Sequence, residues 1–332
     1  MITERILVTG GTGFLGQHLV GTLRQQKLPV RVLVRPKSKQ QALATFGAEL
    51  VVGDVLDPAS LSAALKDVTV VFHLAGQLHM PGVTDEAYNQ LHINGTYNLL
   101  KACLDVPSLR VIVHGSTTGV LGPTGYILAT EDAFSTKGPS NAYEQSKARG
   151  EKLALDFAQQ HNLPLIVVRP SLVYGPGDLH LLGWFRAIKR GYYRVVGSGD
   201  NLLHPIYIDD LIKGLLCCLH TSPGKERIYN LVGPKPVAIK ELAAAIAQAM
   251  GCTLSRWHFP LPLARVAATL LENISGLPPT SLPLTQSRID FMIENRAYCG
   301  KRAHTELGFI PNIDLETGLQ QTVTWYRREG LL

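Results

Sequence analysis

The glycine-rich segment VTGGTGFLG, residues 8–16, constrains the fold more than any other part of this chain. It follows an apolar run typical of a buried strand and precedes a stretch with helical periodicity, and three of its glycines recur every third residue. Such a strand–turn–helix unit lets a pyrophosphate approach the backbone and meet the free N–H groups of a helix N-terminus. A glycine pattern alone is weak evidence, but this context favours a dinucleotide site over an ordinary turn. The segment contributes Gly10, Gly13, Phe14, Leu15 and Gly16 to the predicted site.

Short β-branched runs alternate with helical stretches through the first half of the chain. Strands are predicted at Arg5–Thr9, Val30–Val34, Glu49–Val52, Thr69–Leu74, Arg110–Gly115 and Leu165–Arg169. Helices are predicted near Phe14–Gln26, Pro58–Lys66, Asp85–Leu104 and Ala142–Gln160. Several strands are apolar on consecutive residues, as expected where helices cover both faces of a parallel sheet. The sequence therefore predicts an α/β fold, with a doubly wound Rossmann parallel sheet and a smaller, mixed α/β C-terminal lobe.

The turn-rich segment Tyr174–Asp178 marks the predicted domain boundary. We expect residues 1–175 to form the dinucleotide-binding domain and residues 176–332 to form mainly the substrate-binding lobe. Within that lobe, residues 204–232 are expected to pack back onto the first domain. Further elements are predicted near Leu181–Arg190, Asp209–His220, Arg227–Val232 and Ile239–Met250.

No uncharged apolar run approaches the ~18 to 20 residues that a membrane span needs. The apolar stretch LARVAATLLENI, residues 263–274, has two interpretations, a helix packed on the protein and a membrane-surface anchor. Arg265 and Glu272 bound a length that favours packing on the protein. A strand is predicted within a few residues of Met1, which leaves no room for a signal peptide, so a cytoplasmic location is expected.

Charge and cysteine content exclude two further classes. The formal net charge is +6, but no Lys/Arg run of five occurs, which disfavours a nucleic-acid-binding surface. The five cysteines lack the spacing of metal ligands, so no metal site is expected. In a chain of this length they are typical of small buried hydrophobes in a reducing compartment.

The residue that ends the second predicted strand reports on the 2′ position of the adenosine ribose, where a carboxylate favours NAD. This chain has Arg35 there, followed by Lys37 and Lys39, and cations suit the 2′-phosphate of NADP. The alternative is a solvated Arg35 stacked on adenine, which is compatible with NAD. Asp54 ends the third strand and can accept a hydrogen bond from the adenine amino group or cap a turn.

Tyr143 and Lys147 lie four residues apart in a predicted helix, so their side chains share one face. A phenol with a pKa near ~10 is a poor acid–base group at neutral pH, and a nearby ammonium stabilises its phenolate. This spacing alone is usually a surface pair. However, a hydroxyl cluster at 116–118 follows the strand ending at Gly115, where it can bind a substrate oxygen or cap its own backbone. In this order, the elements favour hydride-transfer chemistry.

Together these motifs resemble the extended short-chain dehydrogenase/reductase family, which includes nucleotide-sugar epimerases, dihydroflavonol-type reductases and 3β-hydroxysteroid-dehydrogenase-like enzymes. The resemblance covers nearly the whole chain and includes HLAG, RPSLVYGPGD, HPIYIDDL, YNLVG and the LGF-P motif near the C-terminus. It implies an adenine site at Asp54, a segment beneath the cofactor at 73–76, a site-shaping Asn94 and a carboxamide contact at Pro170. The cofactor residues that it adds are Asp54, Val55, Leu74, Ala75, Gly76, Asn94, Tyr143, Lys147 and Pro170.

The resemblance also implies roles in catalysis. Thr117 orients the reacting oxygen, Tyr143 transfers its proton, and Lys147 tunes Tyr143. The substrate-binding candidates are His79, Thr118, Tyr174 and His204. Thr118 and Gly119 stand where the family's dehydratases and decarboxylases carry carboxylates, which disfavours those reactions. Leu203 and His204 stand where nucleotide-sugar enzymes present an arginine to the diphosphate, which weakens that interpretation.

Three hypotheses follow from these patterns. The leading one is an NADP-dependent oxidoreductase acting on a secondary alcohol or ketone, with NAD as the alternative cofactor. The second is a nucleotide-sugar epimerase that keeps NAD tightly bound. The third is a non-catalytic dinucleotide sensor, which ranks last because such sensors typically lose the Tyr or the Lys. A homodimer is expected, because helices 85–104 and 142–160 resemble those that pair family subunits in a four-helix bundle.

Overall fold

A parallel sheet with helices on both faces forms the centre of the molecule. The computed structural model describes residues 4–38, 40–80, 82–125, 127–133, 137–221, 227–255, 257–274, 282 and 284–332. The first half contains β1 (Ile6–Thr9), α1 (Phe14–Gln25), β2 (Val30–Val34), α2 (Gln41–Thr45), β3 (Glu49–Val52), α3 (Pro58–Leu65), β4 (Val70–His73), α4 (Asp85–Asn89), α5 (Gly95–Cys103), β5 (Val111–Gly115), α6 (Ala142–His161) and β6 (Leu165–Pro170). The six strands predicted from the sequence are confirmed to within one residue at either end.

The second half is built from shorter strands and more helices. Its elements are β7 (Leu172–Tyr174), α7 (Leu182–Lys189), β8 (Leu202–Leu203), β9 (Pro205–Tyr207), α8 (Ile208–Cys217), β10 (Arg227–Leu231), β11 (Val237–Ala238), α9 (Ile239–Met250), α10 (Leu261–Ile274), α11 (Gln286–Ile293), α12 (Lys301–Leu307) and α13 (Leu315–Arg328). The sequence predicted versions of α7, α8, β10, α9 and α10 but not the short strands or the last three helices, whose apolar spacing is weaker.

Within the described residues, seven strands form one parallel sheet in the order β3-β2-β1-β4-β5-β6-β10. The doubly wound α/β fold predicted from the sequence is therefore confirmed. The strand order reverses at β1, which pairs with both β2 and β4. In such sheets ligands bind beyond the carboxyl ends of the strands at this reversal, and the glycine segment follows β1 at that place.

Because side chains alternate in direction along each strand, the hydrophobic core is divided between the two faces of the sheet. Ile6 and Val8 of β1 join one hydrophobic cluster, which includes residues of α1 and α8, whereas Leu7 joins the cluster formed with α3, α5 and α6. Successive side chains of a strand point to opposite faces, so a strand that is apolar at every position can bury all of them. This burial explains the consecutive apolar residues that the sequence shows.

One predicted helix, 85–104, is interrupted by a π-helical turn at Gln90–Asn94. This turn lies against α6, and a Cβ atom at Gly150 of α6 would be 2.3 Å from the His92 carbonyl oxygen. The same carbonyl accepts a hydrogen bond from the Thr96 hydroxyl at 2.7 Å. The local departure from α-helical geometry thus coincides with a close helix–helix contact, which periodicity alone does not reveal.

The C-terminal half of the chain returns to the central sheet once. β10 pairs in parallel with β6, and α8 contributes Leu211 and Leu215 to the cluster that also contains α1 residues. The helix α10 packs through Ala264 and Ala268 against Val196 and a residue of α11. Within the described residues no helix has both the length and the hydropathy that crossing a membrane requires.

Candidate active site

The glycines of the first loop approach neighbouring backbone so closely that larger residues do not fit. Gly10 has a φ of +73°, and a Cβ atom there would lie 2.5 Å from the Leu74 carbonyl carbon. A Cβ atom at Gly16 would lie 2.3 Å from the Gly10 carbonyl oxygen. Gly13 is open by comparison, since a Cβ atom there meets only that oxygen, at 3.3 Å, and no side chain caps α1. The first turn of α1, with Phe14 and Leu15, therefore offers unpaired N–H groups that fit a pyrophosphate.

The segment after β4 lies directly against this loop. The Leu74 N–H donates to the Thr9 carbonyl oxygen at 3.2 Å, and the Ala75 N–H donates to the Thr9 hydroxyl oxygen at 3.2 Å. Gly76, the next residue, is exposed. The sequence-predicted residues 74–76 are thus placed at the carboxyl edge of the sheet next to Gly10.

Arg35 lies at the carboxyl end of β2, on the same edge of the sheet. Its side chain is exposed and has no hydrogen bond or ion pair with another described residue, whereas its carbonyl oxygen accepts from Ser38 and Gln40. Lys37 is also exposed, and Lys39 lies outside the described residues. The guanidinium of Arg35 is therefore available to a ligand at this position.

Asp54 performs one of the two roles that its sequence position left open, and the other, adenine binding, stays a prediction. Its Oδ1 accepts a hydrogen bond from the Leu56 N–H at 3.0 Å, so one carboxylate oxygen caps a turn, as Asp often does. The adjacent Val55 side chain is buried, and its carbonyl oxygen accepts from the Asn98 amide at 3.1 Å. These contacts hold the loop after β3 in place and leave Oδ2 of Asp54 without a contact to a described residue.

Thr117 and Tyr143 meet above the end of β5. Asn141 caps α6 by accepting a hydrogen bond from the Glu144 N–H at 3.0 Å, which places Tyr143 in the first helical turn. The Thr117 hydroxyl oxygen accepts from the Gly119 N–H at 3.2 Å, and the same hydroxyl lies within hydrogen-bonding reach of the Tyr143 phenol. Burial raises the pKa of Tyr143 to about 12, and hydrogen bonding with Thr117 opposes this rise. The phenol is therefore protonated at neutral pH.

Lys147 lies one helical turn further along α6, where it is buried. Its Nζ donates to the Gly115 carbonyl oxygen at 2.5 Å, at the carboxyl end of β5. Burial lowers the pKa of Lys147 to about 8, and the carboxylate of Glu151 opposes this shift. Lys147 is thus a cation at neutral pH that loses its proton under mildly alkaline conditions.

A buried network of charged and polar groups lies beside Lys147. Ser116 donates to Glu151 Oε2 at 2.5 Å, and Arg169 Nε donates to the same oxygen at 3.0 Å. Arg169 also donates to the Glu131 carbonyl oxygen at 2.7 Å. Because Ser116 is directed towards Glu151, Thr117 is the hydroxyl of this cluster that reaches the phenol. The sequence analysis did not identify Glu151 of α6 and Arg169 of β6, which form a buried pair of opposite charges.

Three buried histidines surround Lys147, and the sequence analysis missed their grouping. His73 and His114 occupy paired positions on β4 and β5, with ring centroids 5.3 Å apart, and His92 comes from the π-helical turn. Burial, together with the charge of Lys147, lowers the pKa values of His73 and His92 to about 3. The pKa of His114 is also lowered by burial. All three rings are therefore neutral, which leaves Lys147 as the cation among them.

The expected role of Asn94 needs correction. Asn94 is exposed, and its amide donates to Gln90 at 2.9 Å on the outer surface of the helix. His92 occupies the inner position: its Nε2 accepts from the Gln77 N–H at 3.0 Å, and its Nδ1 lies 2.8 Å from the Ser146 hydroxyl. The His92 ring also contacts Tyr143, with 5.7 Å between centroids. The π-helical turn changes which residue faces inward, and no local sequence signal marked it.

His79 is the predicted substrate residue that lies in the cleft. Its ring is partly buried, and Nδ1 is buried without a hydrogen-bond partner among the described residues. Burial lowers its pKa, Glu144 raises it, and the charges of His180 and Arg288 lower it further. Glu144 follows Tyr143 on α6, so His79 is close enough to the first turn of that helix to feel its charge.

The other three substrate candidates, Thr118, Tyr174 and His204, are buried and make contacts within the protein. Thr118 is buried and donates to the Pro170 carbonyl oxygen at 3.3 Å. Tyr174 is buried with its hydroxyl against Gly318, where an added Cβ atom would lie 2.4 Å from it.

His204 is likewise committed to backbone groups. Its Nε2 lies 3.0 Å from the Gly233 carbonyl oxygen, and its Nδ1 accepts from the Tyr298 N–H at 3.3 Å. With both ring nitrogens bonded, His204 holds the β8–β9 connection in place. Long-range packing decided the orientation of these side chains, and the sequence pattern did not contain it.

Exposed apolar residues border the cleft. Leu78 and Met80, on either side of His79, are about half exposed, and Ile127 is 83% exposed. The Tyr88 hydroxyl fixes the first of these loops, since it accepts from the Met80 N–H at 2.8 Å. The borders of the cleft are therefore largely apolar, with His79 as an inward polar group.

In the part of the chain that the structure describes, no group of three or more His, Cys, Asp or Glu residues is arranged to hold a metal ion. At the carboxyl edge of the sheet the structure places the hydroxyl, phenol and ammonium groups of Thr117, Tyr143 and Lys147. The fold and these groups define an enzyme of the extended short-chain dehydrogenase/reductase type, which uses a nicotinamide dinucleotide.

The comparison with known proteins specifies the family. A sequence model of the NAD dependent epimerase/dehydratase family matches residues 6–232, and the chain belongs to this family. The match extends from β1 to the end of β10, so it includes the glycine segment and the residues 117, 143 and 147.

Relatives of known activity fall into more than one reaction class. The chain is 27% identical over 319 residues to 4-hydroxy-2-methyl-3-oxo-4-farnesyl-3,4-dihydroquinoline-1-oxide ketoreductase of Stigmatella aurantiaca, covering 95% of this chain and 94% of that protein. It is 28% identical to UDP-glucuronate 4-epimerase 2 of Arabidopsis thaliana, covering 97% of this chain and 75% of that protein. The crystal structure of gox2253 superimposes with a TM-score of 0.84 at 26% identity, over 99% of both chains.

Proposed function

We propose that this protein is an NADP-dependent oxidoreductase that interconverts a ketone and a secondary alcohol on a bulky, mainly apolar substrate. The observation that carries the proposal is the juxtaposition of the Thr117 hydroxyl and the Tyr143 phenol, one helical turn before the buried cation of Lys147. A hydroxyl, a phenol and an ammonium in this order are the groups that proton transfer to a carbonyl oxygen requires.

In the reductive direction, Tyr143 is the proton donor. Its raised pKa keeps the phenol protonated at neutral pH, and a bound carbonyl oxygen would accept a hydrogen bond from the Thr117 hydroxyl. Lys147 supplies a positive charge that stabilises the phenolate left after proton transfer. The bound nicotinamide supplies the hydride, and Thr117, Tyr143 and Lys147 hold the oxygen and move its proton.

The site fits a dinucleotide at three places. The open N-terminus of α1 and Gly13 would hold the pyrophosphate, and Asp54 with Val55 would border the adenine. The exposed Arg35, without a protein partner among the described residues, would hold the 2′-phosphate of NADP. Residues 74–76 and Pro170 would complete the floor of the site at the sheet edge.

The substrate class follows from the borders of the cleft. Leu78, Met80 and Ile127 offer exposed apolar surface, which suits a hydrocarbon-rich ligand. His79, with its unpartnered Nδ1, would bind a polar group near the reacting carbon. The ketoreductase activity of the Stigmatella aurantiaca relative on a farnesylated compound is consistent with this choice.

A nucleotide-sugar epimerase that keeps NAD bound is the second candidate, and the similarity to UDP-glucuronate 4-epimerase 2 of Arabidopsis thaliana favours it. However, Leu203 and His204 are buried where those enzymes present a diphosphate-binding arginine, and both His204 nitrogens are bonded to backbone groups. The reductase proposal therefore ranks first.

We also propose a homodimer built on the outer faces of α5 and α6. Tyr97 is 40% exposed and contacts Phe157 edge-to-face at 5.6 Å, which leaves an aromatic surface shared by the two helices. Solution scattering of the purified protein would give the mass of a dimer, and a monomeric mass would exclude it.

The five cysteines are unpaired, which supports a reducing, cytoplasmic location.

The proposed function is tested by cofactor binding and turnover together. Calorimetry measures the binding of NADPH and NADH to the wild type, to Arg35→Ala and to a distant control, Lys66→Ala. The wild type and the control should bind NADPH more tightly than NADH, and Arg35→Ala should lose this preference. Wild type with NADPH should reduce bulky apolar ketones but not nucleotide sugars. Tight NAD(H) binding without an NADPH preference would instead favour the epimerase, and binding of neither cofactor would refute both candidates.

A further inference from the structure

The helix α10 carries large apolar side chains on the face that does not touch the protein. Its small residues Ala264 and Ala268 are fully buried against Val196 and α11, so the helix is packed on the protein, as the sequence predicted. Leu263 and Val266 are nevertheless each 58% exposed, and Leu270, one further turn along, is 52% exposed. Positions spaced by three and four residues lie on one side of a helix, so these three side chains form one outer stripe.

The charged residues of α10 are turned away from this stripe. Arg265 donates to Asp290 of α11 at 2.6 Å and to Gln286 at 2.8 Å. Glu272 accepts from the Gln286 N–H at 2.9 Å. Because both charges are engaged with α11, the described part of the outer face presents apolar and uncharged polar side chains. An arrangement with small residues inward and large apolar residues outward is the reverse of an ordinary surface helix.

Segments rich in basic and aromatic residues adjoin α10. Phe259, just before α10, bridges to Val196, and its N–H donates to the Val195 carbonyl oxygen at 2.7 Å, so segments 184–199 and 257–293 adjoin. The described residues of these segments include six Lys or Arg and two Asp or Glu, which gives them a formal charge of +4. Trp257 is 57% exposed and Tyr192 is 78% exposed in the same segments.

We propose that the outer face of α10 docks onto an anionic phospholipid bilayer, with α10 lying in the plane of the interface. Large apolar side chains with flanking Trp and Tyr suit the headgroup boundary, and clustered basic residues are attracted to anionic lipids. This face is defined here as the lipid-docking face, formed by Trp257, Leu263, Val266 and Leu270.

A second copy of the chain fits this face less well. A two-fold interface places the same surface opposite itself, which would bring two +4 regions together. The stripe of three side chains is also far smaller than the ~800 Å² per partner of a stable interface. An anionic bilayer has the complementary charge and no such size requirement.

The docking itself requires no catalysis, so it can fail or succeed independently of the proposed function.

Sedimentation with extruded vesicles tests the proposal. The wild type should bind phosphatidylcholine vesicles that contain phosphatidylglycerol, bind pure phosphatidylcholine vesicles weakly, and lose affinity as salt rises. Leu263→Asp with Leu270→Asp should weaken binding about 100-fold, about tenfold for each half-exposed leucine. The matched control Ile310→Asp, at a side chain that is 55% exposed outside this face, should bind like the wild type.

The melting temperature and NADPH affinity of each variant report whether it is folded. Quenching of Trp257 fluorescence by brominated lipids, lost in Trp257→Phe, would place the docking face at the bilayer. The proposal would be overturned if the wild type does not bind anionic vesicles, or if the double variant binds them as well as the wild type does. A concentration-dependent dimer that the double variant dissociates would also overturn it and assign the face to a second copy.

Discussion

Acidification should destabilise this fold through the histidines that surround the active-site lysine. His73 and His92 are neutral in the folded protein, with pKa values lowered by burial to about 3, whereas an unfolded histidine has a pKa near 6.5. Below pH 6.5 the unfolded chain therefore binds protons that the folded chain does not. The free energy of unfolding then falls as the pH falls, and the loss continues until the pH approaches the folded pKa values.

The magnitude follows from these shifts. Each such histidine lowers the free energy of unfolding by about 1.4 kcal/mol per pH unit, or about 2 kcal/mol between pH 6.5 and pH 5.0. Two histidines together remove about 4 kcal/mol, a large part of the ~5 to 15 kcal/mol that stabilises a typical domain. His114, whose pKa is also lowered, adds a loss of the same sign.

Urea unfolding between pH 7.5 and pH 5.0, followed by circular dichroism, measures this slope. His114→Leu is the informative variant, because neither ring nitrogen of His114 has a hydrogen-bond partner among the described residues. We expect it to keep its stability at pH 7.5 and to flatten the slope by about 1.4 kcal/mol per pH unit. His220→Gln, at an exposed position, is the control and should leave the slope unchanged. A wild-type loss below about 1 kcal/mol over this range would refute the reasoning.

Three further predictions concern the site itself. Tyr143→Phe should lower kcat for ketone reduction by about 10²- to 10⁴-fold while leaving NADPH affinity within error by calorimetry; an unchanged kcat would remove Tyr143 from the mechanism. kcat/KM should decrease above about pH 8, because Lys147 then loses its proton. The Lys147→Arg variant, which has a lower rate but stays charged, should not show this decrease. Gly13→Ala adds a Cβ atom 3.3 Å from the Gly10 carbonyl oxygen and should weaken NADPH binding more than tenfold, with the melting temperature reporting whether the variant is folded; wild-type affinity would contradict a pyrophosphate site there.

Comparison of particular residues shows where sequence analysis succeeds. The ends of β1 and β5 were predicted to within one residue, and the glycine segment and the Thr117 hydroxyl follow directly from those ends. Tyr143 and Lys147 were recognised from their spacing on one helix. In each case the information is local, because strand and helix periodicity and the turn after a strand are properties of neighbouring residues.

Side-chain direction was not predictable in the same way. His92 was missed in favour of Asn94, since a π-helical turn against α6 decides which residue faces inward. Tyr174 and His204 are residue types that often bind substrates. However, the residues that they contact in the fold, Gly318 and Gly233, are distant in sequence. Such partners are set by packing between elements, and a single sequence does not reveal them.

The sequence by itself thus determined the doubly wound α/β fold, and it predicted the dinucleotide loop and the groups at positions 117, 143 and 147. It also contained the helix α10, with the correct expectation that this helix packs on the protein. Only the tertiary structure decided that three neutral histidines surround Lys147, and that Leu263 and Leu270 remain exposed. The physical reason is that periodicity specifies which residues share a face, whereas burial depends on what the rest of the chain places against that face.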